Sequence, residues 1–420
     1  MALRGVGVRS GIAHAVRWLR SALAAAGLSG VLACQPAGPG VRVAVPAAGG
    51  ATAYTLTQGE GDVLLSWLER EDAGYVLAYS AWQPEHRWTA PRSVARGDDL
   101  FVNWADRPSA LALADGGVAG HWLVNPPGRR QGDYGYGLQV AFSGDRGETW
   151  ATRLRRGATR PSPSEYTGFL SFLESGDRLF AAYLSPPQIG DPPLDSSLEH
   201  RMTLRVARFG GEGDLEVEDL LDTSVCSCCP LDLADTEAGP VIVYRDRLPG
   251  EVRDISIVRW EGDAWSVPAS VHDDGWELDG CPTNGPAVDA SGRHVVVAWF
   301  TAARGSPEVR VAFSESSGRD FGTATRISEG RAVGYVDIRW IGPGEAVVSW
   351  VEAREGGAAV LRLRRVGLDG SRGVPLDLVE TRGGRQDGMP MLARVEDGLV
   401  VVWRAADELH SALLPLDRLR

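Results

Sequence analysis

The sequence predicts an all-β fold, a β-propeller of seven blades whose ring is closed by pairing of the N- and C-terminal strands. A short apolar run that ends in an aromatic residue recurs along the chain, and a Gly- or Asp-containing turn precedes most copies. The aromatic positions lie 51 to 61 residues apart. A period of about 50 residues with several strands in each unit is typical of a propeller blade. The runs end at Trp67, Trp122, Tyr183, Tyr244, Trp299, Trp350 and Trp403.

The repeated aromatic residues are expected to lie in the core rather than to bind a ligand. A pair of β-sandwiches is the alternative fold, but two sandwiches would not repeat a buried aromatic strand seven times. A ring of six blades stays open as an alternative, because one repeat could be irregular.

The last repeat, from about residue 389 to 414, offers only three strands. The segment 41–45 alternates apolar and polar residues up to Pro46, which suits a short edge strand. Pairing of this segment with the last repeat would remove the open sheet edges. Residues 51–420 are therefore expected to form a single propeller domain, with 41–45 as its closing strand.

The first residues have the pattern of an export signal. Basic residues precede an apolar run over 22–33, which is shorter than the roughly 20 residues that span a bilayer. The run ends in Val31-Leu32-Ala33-Cys34, which resembles the lipobox of bacterial lipoproteins. That resemblance implies cleavage before Cys34 and lipidation of this residue, and an ordinary secretory signal is the alternative. The predicted organisation is a signal peptide over 1–33, then a lipidated cysteine and tether over 34–50.

This organisation predicts a location in the cell envelope, at the outer membrane or facing the periplasm, with the lipid as the only membrane attachment. The formal net charge is −12, and the chain contains no lysine. An acidic surface repels phosphate backbones, so nucleic acid is an unexpected partner. No Gly-rich phosphate loop follows a strand and opens a helix, and no cofactor is expected. A monomer is expected.

One turn motif carries a family resemblance. Ser143, Asp145, Gly147 and Trp150 fit the Asp-box pattern of sialidases and their relatives, and 314–321 is a degraded copy. The Asp carboxylate can accept backbone N–H bonds in a tight hairpin, where Gly takes a positive φ. The box is therefore structural. The segments 226–230, 244–247, 253–256, 274–276 and 280–286 are also similar to uncharacterised exported sialidase-like proteins with BNR repeats. This resemblance implies a fold more than an activity.

In a propeller, the segments leading into the innermost strands share one face with the loops after the second strands. This placement predicts that carboxylates and arginines converge at one mouth of the central channel. Ligand-binding roles are expected there for Arg247, Asp254, Asn284, Asp337 and Asp387.

The sialidase resemblance implies three arginines that hold a substrate carboxylate, a Tyr nucleophile and an Asp acid. Arg245, Arg253 and Arg304 are the candidate arginines. Tyr134 is the candidate nucleophile, with Tyr136 and Tyr335 as alternatives, and Asp106 or Asp246 is the candidate acid. The chain lacks the N-terminal Phe/Tyr-Arg-Ile-Pro motif that supplies the first arginine in sialidases. The alternative for Arg245-Asp246 and Arg253-Asp254 is an ion-pair network that staples loops together.

Four cysteines remain once Cys34 is set aside. Cys226, Cys228 and Cys229 precede the fourth blade, and Cys281 precedes the fifth. In an oxidising compartment they predict two disulfides, at least one of which joins the two blades. A thiolate site for copper or zinc, helped by Met389 or His272, is the alternative.

These patterns favour an exported binding propeller whose mouth holds a glycan, a peptide or a protein partner. A sialidase-type glycoside hydrolase is the second hypothesis. A metal-dependent or redox propeller that uses the cysteines is the third.

Overall fold

A computed structural model describes residues 39–59, 62–130, 133–157, 162, 165–192, 201–211, 213–382, 384 and 387–419. These residues form seven antiparallel sheets, and neighbouring innermost strands contact each other around a ring. The predicted seven-bladed β-propeller is confirmed. The signal peptide and Cys34 lie outside the described residues. Within the described ranges, no helix is long and apolar enough to cross a membrane.

The chain fills the blades in sequence order, and in blades 1 to 6 the innermost strand comes first. Strand β1 is Val41–Val43. Blade 1 contains β2 (Thr52–Gln58), β3 (Val63–Glu71), β4 (Gly74–Gln83), β5 (Arg87–Trp88) and β6 (Arg92–Gly97). Blade 2 contains β7 (Ser109–Ala112), β8 (Val118–Val124), β9 (Gly137–Ser143) and β10 (Ala151–Gly157). Blade 3 contains β11 (Gly168–Ser175), β12 (Arg178–Ser185), β13 (Met202–Phe209) and β14 (Leu215–Val225).

The remaining blades follow the same order, with three short 3₁₀ turns at Ala303–Gly305, Glu355–Gly357 and Leu416–Leu419. Blade 4 contains β15 (Asp232–Thr236), β16 (Gly239–Arg245), β17 (Ile255–Arg259) and β18 (Ala269–His272). Blade 5 contains β19 (Ala287–Ser291), β20 (His294–Thr301), β21 (Glu308–Ser314) and β22 (Thr325–Arg326). Blade 6 contains β23 (Ala332–Gly342), β24 (Glu345–Ala353), β25 (Ala359–Gly367) and β26 (Leu376–Thr381). Blade 7 contains β27 (Met391–Val395), β28 (Gly398–Ala405) and β29 (Glu408–Leu414).

Strand β1 completes blade 7, as the sequence predicts. It pairs antiparallel with β29, with Val41 opposite Leu413 and Val43 opposite Ser411. The Ser411 hydroxyl donates to the Val43 carbonyl at 2.8 Å, and the Trp88 indole donates to the Ser411 hydroxyl at 3.0 Å. The closing strand ends at Val43 rather than at residue 45.

The repeated aromatic residues lie in the core, as predicted. Trp67, Trp299, Trp350 and Trp403 are completely buried. Three of their indole N–H groups donate to carboxylates at the mouth end of a strand or loop, on Glu69, Asp274 and Glu352. Burial of such a large apolar surface stabilises the blades, and these three indole donors still find partners.

Neighbouring blades are tied by a repeated aspartate that the sequence analysis does not recognise as a set. In four of the blades an aspartate in or just before the innermost strand accepts a backbone N–H from the innermost strand of the following blade. The four bonds are Phe169 N to Asp106 Oδ1 (2.7 Å), Val288 N to Asp232 Oδ2 (2.9 Å), Trp340 N to Asp289 Oδ2 (2.7 Å) and Leu392 N to Asp337 Oδ2 (2.7 Å). Bonds of this kind satisfy amides that face the channel rather than a sheet partner.

The two faces of the ring differ in which connections they hold. The mouth face holds the segments that lead into the innermost strands and the loops after the second strands. The back face holds the other turns, including 144–150. There the Asp145 carboxylate accepts the Thr149 N–H at 2.9 Å, and Gly147 has a φ of +87°. The turn therefore has the geometry that the motif predicts.

Candidate functional site at the channel mouth

Loops on the mouth face are longest in blades 2 to 4. The connections after the second strand span 125–136, 186–201, 246–254 and 302–307 in blades 2 to 5, and 72–73, 354–358 and 406–407 in the other three. Below them lies the central channel, with an empty volume of about 1250 Å³ that includes part of the open mouth. Innermost strands of all seven blades line it.

Asp106 and Tyr136 form a buried pair beside the channel. The Tyr136 hydroxyl donates to Asp106 Oδ2 at 2.7 Å, and Asp106 also accepts the Phe169 N–H. Burial raises the pKa of Asp106 to about 7, against the lowering effect of these two bonds. Tyr136 has no exposed surface. The structure thus brings the candidate acid to a tyrosine, but this tyrosine is out of reach of a ligand.

Tyr136 also belongs to a cluster of four aromatic rings. Phe101, Tyr136 and Tyr166 are stacked, with centroid distances of 4.4 and 5.0 Å. Tyr134 stands edge-on to all three rings at 5.7 to 6.2 Å and is 47% exposed. Its hydroxyl accepts a bond from the Asn103 amide at 2.8 Å. Tyr134, the candidate nucleophile, therefore faces the mouth with an amide partner rather than a carboxylate.

Arg107 is a channel arginine that the sequence analysis missed. Its side chain lines the channel next to Asp106, and burial lowers its pKa, while the charges of Tyr54, Asp337 and Asp106 act in the opposite direction. Within the described part of the chain, its guanidinium makes no ion pair and no hydrogen bond. Its position directly after Asp106 in the segment leading into β7 is the signal that could have identified it.

On the opposite wall of the channel, an arginine lies among aspartates that balance its charge. Arg339 donates to Asp337 at 2.9 Å, and the charges of Asp289 and Asp232 also act on it. Burial raises the pKa of Asp232 to about 7 and shifts those of Asp289 and Asp337 upward. Asp337 therefore serves as a blade tie and an ion-pair partner.

Arg245 is held by the protein's own main chain. Its guanidinium donates to the carbonyls of Asn284 (2.8 Å), Phe300 (2.7 Å) and Arg253, and it lies over the Trp276 ring at 4.9 Å. The residue is 2% exposed. Every nitrogen of the guanidinium is used inside the fold, which corresponds to the stapling alternative.

The neighbouring charged residues complete this staple. Arg247 and Arg253 both bind Glu251, the former at 2.7 Å. Asp254 accepts the N–H groups of Gly275 and Trp276, at 2.8 and 3.0 Å.

Asp246, the other candidate acid, belongs to the same staple. It accepts the Ser256 hydroxyl at 2.7 Å, and burial raises its pKa to about 7. The five charged residues predicted over 245–254 therefore lie together, and their contacts order the loop.

Of the other predicted mouth residues, Asn284 contacts that network through the carbonyl that Arg245 binds. Arg304 is exposed on a 3₁₀ turn. Asp387 lies 3.9 Å from Arg404. Asn284 accepts the Tyr335 N–H at 2.7 Å, and a Cβ on Gly334 would approach the Asn284 amide to 2.1 Å, so these loops fit closely. The three candidate arginines therefore do not form one cluster, because Arg304 stands apart on this turn.

The cysteines differ from the prediction of two disulfides. Cys228 and Cys281 are bonded and join blades 4 and 5, whereas Cys226 and Cys229 are thiols with their Sγ atoms 3.3 Å apart. The prediction was thus right for the inter-blade bond and wrong for the second one.

The proposed helper ligands have other partners. Met389 packs in the core between blades 1 and 7, and His272 pairs with Asp274 at 3.0 Å.

Comparison with known proteins supports the fold. No protein-family model and no curated protein matches the sequence. Among solved structures, an ulvan-type polysaccharide lyase is similar with a TM-score of 0.50 and 10% identity, over 90% of this chain and 94% of that chain. An α-L-arabinofuranosidase of Fusarium graminearum is similar with a TM-score of 0.48 and 12% identity, over 91% of this chain and 98% of that chain. A sialidase of Streptococcus pneumoniae is similar with a TM-score of 0.43 and 12% identity, over 91% of this chain and 71% of that chain. At these identities the likeness shows the fold alone.

Proposed function

We propose that the protein is a binding propeller whose channel mouth holds a glycan that carries a carboxylate. The observation that carries this proposal is the unpaired guanidinium of Arg107 inside the channel. A planar guanidinium matches a carboxylate in two-point contact, and a buried charge without a partner is unfavourable. A ligand carboxylate would supply that partner.

Aromatic surface beside Arg107 suits the rest of a sugar. Tyr335 and Tyr134 lie at the mouth, and Trp104 stands edge-on to Tyr335 at 6.4 Å. Such rings offer an apolar face for sugar C–H groups together with a polar edge. The lyase with a TM-score of 0.50 is a polysaccharide enzyme by its name, which favours a glycan over a peptide.

Binding is preferred over sialidase-type hydrolysis for two reasons. Arg245 and Arg253 have internal partners, and the tyrosine that pairs with a carboxylate, Tyr136, is fully buried. Tyr134, the exposed candidate, has an amide partner rather than a carboxylate. Hydrolysis stays a separate prediction that the same experiment checks.

The test is calorimetric titration of the full chain with uronate- and sialate-containing oligosaccharides and with neutral oligosaccharides of the same length. Arg107→Gln is expected to weaken binding of the acidic ligands by about 10- to 100-fold, the size of a lost charged hydrogen bond. Arg304→Gln, on the same face but exposed, is the matched control and should change affinity less than about twofold.

Equal binding of acidic and neutral ligands, or unchanged affinity in Arg107→Gln, would contradict the proposal. Capture of a protein partner without any glycan binding would also contradict it. Reducing ends released from the same panel would report hydrolysis, and their loss in Tyr134→Phe would favour the hydrolase instead.

A further inference from the structure

Four cysteine sulfurs form a continuous row where blades 4 and 5 begin. The Cys228–Cys281 disulfide is at one end. Cys226 Sγ lies 3.9 Å from Cys228 Sγ and 3.3 Å from Cys229 Sγ. Each thiol is thus at van der Waals distance from the next sulfur, and the disulfide is within reach of the first thiol.

Burial increases along this row. Cys281 is exposed and Cys228 is half-buried, whereas Cys226 and Cys229 are buried. A thiol or disulfide from solution can therefore reach the Cys281 end, and the buried pair can exchange only through Cys228.

We propose that the four cysteines are a thiol–disulfide relay that moves one disulfide between the surface pair Cys228–Cys281 and the buried pair Cys226–Cys229. The proposal is independent of the binding function, and its external substrate class is a small or protein disulfide that reacts at Cys281.

The transfer takes two exchange steps. The Cys226 thiolate attacks Cys228 Sγ, a Cys226–Cys228 bond forms, and Cys281 leaves as a thiolate. Cys229 then attacks Cys226 Sγ, and Cys228 leaves. Two protons pass from Cys226 and Cys229 to Cys228 and Cys281, and the number of disulfides is unchanged, so the transfer needs no oxidant.

The surroundings of the buried pair support these roles. The hydrogen bond with Cys229 lowers the pKa of Cys226 to about 6 against the opposing effect of burial, and the charges of Arg253 and Arg245 lower it further. Burial raises the pKa of Cys229 well above its ordinary value. Cys226 is therefore the thiolate that attacks first. Once Cys226 is in a disulfide, its hydrogen bond and charge no longer raise the pKa of Cys229, which can then attack.

A thiolate metal site is the competing use of these sulfurs. Three of them, on Cys226, Cys228 and Cys229, lie within 4.8 Å of one another. The positive charges of Arg245 and Arg253 stabilise a thiolate but repel a cation, which favours exchange over metal binding.

The sequence makes the position of the disulfide directly measurable. Without lysine, trypsin cleaves only after arginine, so Cys226, Cys228 and Cys229 leave on the peptide 209–245 and Cys281 on the peptide 260–293. The surface disulfide joins the two peptides. The buried disulfide leaves them separate, with one bond inside 209–245.

The experiment uses the full chain with Cys34→Ser, so that only these four cysteines remain. The reduced protein is given one equivalent of oxidised glutathione, quenched with acid at intervals, alkylated, digested and analysed by mass spectrometry. Joined peptides are expected first, followed by separate peptides with the bond inside 209–245. The transfer should slow about tenfold between pH 7 and pH 5, because the Cys226 thiolate is protonated.

Two serine variants test the order of the steps. Cys226→Ser should leave the peptides joined throughout, and Cys229→Ser should stop at the Cys226–Cys228 bond with Cys281 alkylated. Unfolding midpoints check that both variants fold. Peptides that stay joined in the parent protein would overturn the relay, as would two simultaneous disulfides that never rearrange.

Discussion

Two arginines on the mouth face use their guanidinium groups in opposite ways. Arg245, at the start of the loop in blade 4, donates from each of its three guanidinium nitrogens to a carbonyl of the chain. Arg107, in the segment leading into blade 2, has no such partner among the described residues. Position at a channel mouth therefore does not by itself make an arginine a ligand-binding group. An arginine is available to a ligand where the fold leaves its N–H donors without acceptors.

Arg245→Met is expected to cause the largest loss of stability among these substitutions. A small loss would contradict the comparison. It leaves three carbonyls without their charged donor in a buried region, and we expect a loss of roughly 3–5 kcal/mol in the free energy of unfolding. Urea unfolding followed by tryptophan fluorescence measures it. Arg304→Met on the exposed turn is the control, with an expected change within about 0.5 kcal/mol. A loss below about 1 kcal/mol for Arg245→Met would mean that the hydrogen bonds of Arg245 contribute little to stability.

Asp106→Asn is expected to change how stability depends on pH, with an intermediate effect. The folded pKa of about 7 lies above the ordinary 3.8, so the unfolded chain releases this proton at lower pH than the folded one. Stability therefore falls as the pH rises from about 4 to about 7. Asparagine cannot ionise. Over this pH range the free energy of unfolding should therefore fall by on the order of 2 kcal/mol less in the variant than in the parent protein.

The measurement for this change is the urea midpoint at pH 4 and pH 8, with Asp72→Asn, at an exposed turn, as the control. Parallel pH profiles for Asp106→Asn and the parent protein would show that this carboxyl is not held protonated by burial.

Arg107→Met should have the smallest effect on stability and sharpens the contrast with Arg245→Met. The substitution removes a desolvated charge and no internal hydrogen bond, so the free energy of unfolding should stay within about 1 kcal/mol or increase. The same urea experiment measures it beside Arg245→Met. A loss as large as that of Arg245→Met would show that the fold needs this guanidinium and would refute its availability for a ligand.

The architecture could be predicted because the period and the burial pattern repeat. Seven aromatic strands set the number of blades, and the missing strand of the last repeat identified the segment that contains Val41–Val43 as the closing strand. The closing strand was predicted two residues too long, because alternation continues to residue 45 while the pairing with β29 ends at Val43.

The site was less predictable because its decisive partners are main-chain atoms. Arg245 binds the carbonyls of residues that are 39 and 55 positions away, and a sequence does not show the direction of a carbonyl. The pairing of Cys228 with Cys281 likewise depends on how two loops meet. Alignment of the repeats could have revealed Asp106, Asp232, Asp289 and Asp337 as one structural set, since each stands in or just before the innermost strand of its blade.

The closing strand also determines from which side the chain arrives. Val41 lies opposite Leu413, near the back-face end of β29, and the chain runs from there toward the mouth. Val41 therefore lies at the back face of the ring, opposite the mouth. If Cys34 carries the lipid that the sequence predicts, the seven residues up to Val41 extend at most about 25 Å. A bilayer that held this lipid would then lie within about 25 Å of the back-face end of β1.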